Sequence, residues 1–191
     1  AQPLQTTTYN WDIKKVVSPT VVHIFDGDSR GFSYTVFVTK SVASVSGFGV
    51  TGTITVVNPA PIAAQLKSVT DRLADGANGT VTCPGGSTNV TLGANQSLVC
   101  AYIVTPVTTA TQQNTAYAAL QVNASVVNTY TGQATVNFAN ARNGEINSNI
   151  TVTDTNKPGD SQPFSNTGAW NYTLTQNCSN INFCVGLSGS K

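Results

Sequence analysis

Strict two-residue alternation is the feature that most narrows what this chain can become. GFSYTVFVT puts Phe32, Tyr34, Val36 and Val38 on one face and Ser33, Thr35 and Thr39 on the other. GVTGTITVV sets Val50, Ile54 and Val56 against Thr51, Thr53 and Thr55, and SLVCAYIV alternates Leu98, Cys100, Tyr102 and Val104. AYAALQVNASVV does the same with Ala118, Leu120, Val122, Ala124 and Val126. Successive side chains of a strand point to opposite faces. Apolar residues at every second position, with threonine between them, therefore describe antiparallel sheet with one buried and one wet side. The runs are separated by the turn-forming stretches DGDSRG, NPAP, DGANG, CPGGS, LGANQ, NTYTG and ARNGE. No segment longer than about ten residues keeps a helical period, and APIAAQLKSV reads equally well as a strand.

Strands are expected near 9–17, 20–25, 31–39, 49–57, 62–70, 79–83, 88–92, 97–105, 115–127, 132–139, 149–154, 168–176 and 181–187. Many short strands at this spacing predict an all-β sandwich. The 191 residues suffice for one large or two small domains with a real core, and 40% of them are hydrophobic.

Charge excludes several functions. Only 9% of residues are charged, nine basic and eight acidic, against roughly a quarter in an average soluble domain. Such a surface offers no field to attract nucleic acid or anionic lipid. Its solubility must come from Thr, Ser and Asn. No apolar run approaches the ~18 residues of a membrane span. The chain contains no Met and opens with AQPLQTTTY, as a removed secretory signal or a partial chain would leave it.

Four cysteines sit as two local pairs, Cys83 with Cys100 and Cys178 with Cys184. They lack CxxC spacing, so zinc and redox motifs are not indicated. Three connectivities are open, with the two local bridges favoured, and either bridge implies an oxidising, extracellular compartment. Asn-X-Ser/Thr sequons occur at Asn78, Asn89, Asn95, Asn123, Asn149, Asn171 and Asn177. In a chain so rich in Asn, Ser and Thr the excess over chance is weak, and covalent glycans depend on the host.

Catalytic chemistry is not legible. His23 is the only histidine, so neither an imidazole triad nor a histidine-rich metal site can form within one chain. Asp26-Gly27-Asp28 lacks the later ligands of a calcium loop and reads as a turn. Asp71, Asp75, Glu145 and Asp154 show no spacing that would pair two carboxylates across a cleft. Gly47, Gly49 and Gly52 open a strand rather than a helix, so a phosphate would find no helix N-terminus. No enzyme and no cofactor are expected.

Taken in order, YNWDIKKVVSPT, FSYTVFVT, GVTGTITVVNPAPIAAQLKSVTD, VTCPGG and LGANQSLVCAY resemble the immunoglobulin-like β-sandwich repeat modules of microbial extracellular and surface proteins. The resemblance covers roughly residues 9–140. It implies a spacer, stalk or adhesive rod, and it names an architecture rather than a partner.

One motif is stated twice. Val69-Thr70-Asp71 runs on to Gly76 and Cys83, and Val152-Thr153-Asp154 runs on to Gly159 and Cys178. The second copy has only about fifty residues, Arg142 to Lys191, against roughly 100 for a complete sandwich. The expected division is therefore an extended N-terminal segment (1–22), an immunoglobulin-like sandwich (23–141) and a partial second β module (142–191). Tyr9, Trp11 and Ile13 alternate along the N-terminal segment and would anchor it if it completed the partial module of a neighbouring subunit. The expected function is thus a structural subunit of an extracellular fibre or surface stalk, self-associating head to tail into a helical filament. The alternative is an adhesin or carbohydrate-binding module. For the latter, Trp170, Tyr172 and Leu174 on one strand face would be either a sugar platform or core packing.

Overall fold

The structure, a computed structural model, describes residues 1–22, 25 and 27–177. His23, Asp26 and the Cys178/Cys184 pair, with the expectations attached to them, lie outside the described residues, as does the strand expected at 181–187. The described chain is nearly all strand: β1 (Gln2–Ser18), β2 (Ser29–Val57), β3 (Ala64–Leu73), β4 (Asn78–Thr82), β5 (Val90–Leu92), β6 (Ser97–Val104), β7 (Gln112–Asn123), β8 (Val126–Val136), β9 (Arg142–Ile146), β10 (Ile150–Thr153), β11 (Ser161–Phe164) and β12 (Gly168–Asn177). Short 3₁₀ turns at Pro84–Gly86 and Phe138–Asn140 are its only helical elements among the described residues. No helix there is long and apolar enough to cross a membrane.

Two compact units form, each from separated stretches: residues 1–7 with 45–144, and residues 8–44 with 145–191. The expected boundaries at 22 and 141 do not coincide with them. The physical reason is strand pairing. β12 lies antiparallel to β2 over ten residues, from Gly168 opposite Val38 to Asn177 opposite Ser29. Residues 168–177 thus find their strand partner within residues 8–44 of the same chain.

In the first unit, β2 pairs with β6 from Val50 opposite Val104 to Val57 opposite Ser97. β4 continues that layer, with Thr80 opposite Ile103. The facing layer runs β3–β7–β8, with β5 along β3. β4 turns the corner between the layers: its first residues, Asn78 and Gly79, pair with Arg72 and Asp71 of β3. Alternate residues of both layers meet inside, where Val50, Leu66, Leu73, Cys100, Val104 and Val136 are almost wholly buried. This inner cluster is what the two-residue alternation predicted, and it makes the unit a β-sandwich. A disulfide joins Cys83 to Cys100 within it, one of the two local bridges expected.

In the second unit, β1 and β2 run antiparallel, since Lys40 lies over Tyr9 and Lys15 over Tyr34. β9 flanks β1 on its other side. There Tyr9 reaches Glu145 and Trp11 reaches Asn147, so the two residue numbers rise together and the strands are parallel. β10 and β11 form a separate antiparallel ladder. Val36, Val38, Val152, Trp170 and Tyr172 make the core.

Several local expectations change. The strands expected at 31–39 and 49–57 belong to one element, β2. Residues 21, 22 and 25, expected in a strand, have no regular structure. ARNGE, expected as a turn, is the body of β9, and NTYTG lies inside β8. The hairpin turns earlier, at Asn123, because its side-chain oxygen accepts from the N–H groups of Ser125 (2.9 Å) and Val126 (3.0 Å).

Candidate functional site

Among the described residues, the sandwich of the first unit is not closed on all sides. Thr6 lies beside Gly47 on β2, and Ala1 lines the same groove as Thr53. Beyond that point, β6 is the only described strand along Thr53–Val57, and it takes one edge of this stretch. In the facing layer β8 is terminal among the described strands, paired to β7. Between these two edges, which no other described strand covers, runs a groove of about 730 Å³. Its walls are Ile54 and Val56 on one side and Ala118, Tyr130 and Ala134 on the other. Nearby on the same hairpin, Val122, Val127 and Tyr130 are each more than half exposed. Exposed apolar side chains of this hairpin thus lie near an apolar groove.

Polar groups converge at the base of this groove. Asp71 and Asn114 both line it and are buried, 2% and 5% exposed. Asn114 Nδ2 donates to Asp71 Oδ1 at 2.9 Å. The second oxygen of each, Asp71 Oδ2 and Asn114 Oδ1, has no partner among the described residues. Two glycines make room for the arrangement. A Cβ on Gly79, directly opposite Asp71, would sit 2.5 Å from Oδ2, and one on Gly52 would sit 2.8 Å from the ring of Tyr102, the residue opposite it. Burial pushes the Asp71 carboxyl above its ordinary value, against the Asn114 hydrogen bond, which acts downward.

The sign of the resulting pH dependence follows. The folded chain holds this proton to higher pH than the unfolded chain. Stability therefore falls as pH rises from the unfolded value, about 3.9, through the raised folded value. Asp71→Asn supplies an amide N–H where the carboxylate has an unpaired acceptor. It should match or exceed the parent chain in melting temperature at pH 7, and lose that part of the pH slope. A variant that keeps the parent's fall in melting temperature between pH 4 and pH 7 would show that Asp71 is not the source.

The twin aspartate behaves oppositely. In the second unit Asp154 Oδ2 lies 2.6 Å from Lys15 Nζ and accepts from the Tyr172 hydroxyl. Burial pushes its carboxyl up, but the Lys15 and Tyr172 hydrogen bonds outweigh this and hold it below the usual range. One motif thus places an aspartate whose carboxyl is pushed up in the first unit and one whose carboxyl is held down in the second. The repeated letters were legible in the sequence, but these environments were not.

The expected assembly residues divide. Tyr9 donates to Glu145 Oε1 at 3.1 Å and Trp11 Nε1 to the Asn147 carbonyl at 2.7 Å, while Ile13 is 52% exposed. β1 is therefore already paired within its own chain, and Trp11 packs against the core of the second unit. Trp170 and Tyr172 belong to that core as well, so they present no open sugar platform. All seven sequon asparagines, Asn78, Asn89, Asn95, Asn123, Asn149, Asn171 and Asn177, are exposed.

Two features had weak sequence signals. Asn58, in the Asn-Pro turn, is buried; its Nδ2 reaches the carbonyls of Ile62, Leu92 and Gly93 and its Oδ1 accepts from Ala60 N–H. Asp75 takes N–H groups from Ala77, Val107 and Thr108 and the Gln112 amide, which outweigh its partial burial and hold it at about 2. Asp and Asn in turns announce such bonds in general terms, but not which distant backbone they reach. Compared with family models, curated proteins and solved structures, the chain finds no match.

Proposed function

We propose that the protein is a non-enzymatic structural subunit of an extracellular fibre or surface stalk, whose copies join head to tail by β-strand complementation. The observation that carries this reading is the groove of the first unit, with apolar walls and an edge of β2 that no described strand covers. A strand laid there satisfies unpaired backbone groups and covers apolar surface in one step. A joint of this kind brings two different surfaces together, so repetition without closure yields a helical filament.

Three further features support the reading. The Cys83–Cys100 bridge suits an oxidising compartment. The low charge suits a packed assembly, and the exposed sequons suit a glycan coat in a host that makes one. The adhesin alternative loses its best residues, since Trp170 and Tyr172 are buried.

Electron microscopy and sedimentation over a wide concentration range test the reading directly. Regular filaments are expected, and a monodisperse monomer throughout would overturn it. Trp11→Ala addresses β1 separately. If copies exchange β1, the variant should form far shorter filaments or none. Filaments of parental length would show that β1 stays within its own chain and leave the groove as the joint.

A further inference from the structure

Resting on the fibre reading above, we propose that the groove of one copy is filled by the C-terminal segment of a second copy, with residues 181–187 added as a strand along the free edge of β2. The available edge, Thr53–Val57, spans about 17 Å at the rise of a strand. What it needs is an extended segment with apolar side chains at alternate positions and no charge. The other long alternating runs belong to described strands, in β1, β2, β6, β7 and β12. Residues 181–187 remain, with Ile181, Phe183, Val185 and Leu187 alternating with Asn182, Cys184 and Gly186.

Charge and hydrogen bonding agree with this choice. Asp71 is the only charged side chain lining the groove among the described residues. The segment from Cys178 to Ser190 carries no charged side chain. The two unpaired acceptors at the groove base, Asp71 Oδ2 and Asn114 Oδ1, call for N–H or O–H donors. Asn180 and Ser188, which flank the apolar run, bring such donors, while Asn182 lies on its opposite face. In strand addition the backbone ladder supplies affinity, and the alternate side chains seated in the pocket supply register.

Two full-length variants test the assignment. Phe183→Asp with Val185→Asp disables the donor segment, and Ala118→Arg places a charged chain in the groove. Each alone should lose elongation, while the parent chain forms filaments. Mixed in equal amounts, they should form a species of twice the monomer mass and nothing larger, because only one donor and one groove remain per pair. That species also shows that both variants fold. Filaments from the Phe183→Asp/Val185→Asp chain would overturn the donor assignment and leave the fibre reading standing. An equal mixture that stays monomeric while the parent elongates would overturn the pairing of this segment with this groove in another copy. A parent chain that never elongates would remove the fibre reading itself.

Discussion

Trp170→Ala should destabilise the second unit by about 3–5 kcal/mol, the usual cost of truncating a buried tryptophan. Trp170 is only 9% exposed and sits opposite Val36 in the β2–β12 ladder. Its ring centroid lies 4.9 Å from that of Tyr172, which in turn stacks on Tyr34 at 5.1 Å. Removing the indole leaves a void between β12 and the β10–β11 ladder, whose Val152 packs in the same cluster. The chain has two tryptophans. The other, Trp11, packs on this core as well, so its fluorescence in a urea titration reads the loss. Trp170→Phe should recover most of the stability, and Ile13→Ala, at an exposed position, should change it by less than about 0.5 kcal/mol. A loss below about 1 kcal/mol for Trp170→Ala would contradict the packing described.

The second large effect belongs to the first unit. Replacing Cys83 and Cys100 together with alanine should cost about 3 kcal/mol, the value the chain-entropy account assigns to loops of roughly 15 residues. The bridge spans a sequence separation of 17 and staples the end of β4 to the middle of β6. Cys100 is fully buried and Cys83 nearly so, so the lost sulfurs also leave a small cavity beside Tyr102 and Val104. Hydrogen exchange at the β6 and β3 amides, which belong to this unit alone, measures the change without interference from the second unit. Protection should fall there by about two orders of magnitude, since each 1.4 kcal/mol is tenfold. Unchanged protection would mean that packing alone holds the β4–β6 corner.

How much of this was readable in advance depends on how far apart the interacting residues lie. GFSYTVFVT, SLVCAYIV and AYAALQVN each carry their own period, because a strand's facing pattern is a property of consecutive residues. The all-β class and the buried Val36, Val38, Cys100 and Tyr102 were therefore legible from local sequence, as was the Cys83–Cys100 pair, a short loop. Asn123 shows the limit even at short range. Its side chain ends β7 and starts β8, and NTYTG, which carries the stronger turn composition, is drawn into the hairpin.

Long-range pairing was decided only by the tertiary structure. Nothing in residues 168–177 states that their partners are residues 29–38, or that β1 and β9 run parallel with Tyr9 beside Glu145. Strand edges carry the same backbone donors and acceptors whatever the side chains, so a strand's period determines its face and leaves its neighbour open. For the same reason the two Val-Thr-Asp motifs looked alike in the sequence. Asp71 is set among apolar strands with one amide for company, and Asp154 is set beside Lys15 and Tyr172. The groove on β2 follows from the same cause. The sequence by itself determined that Ile54 and Val56 face inward, and only the assembled layers left the edge beside them open.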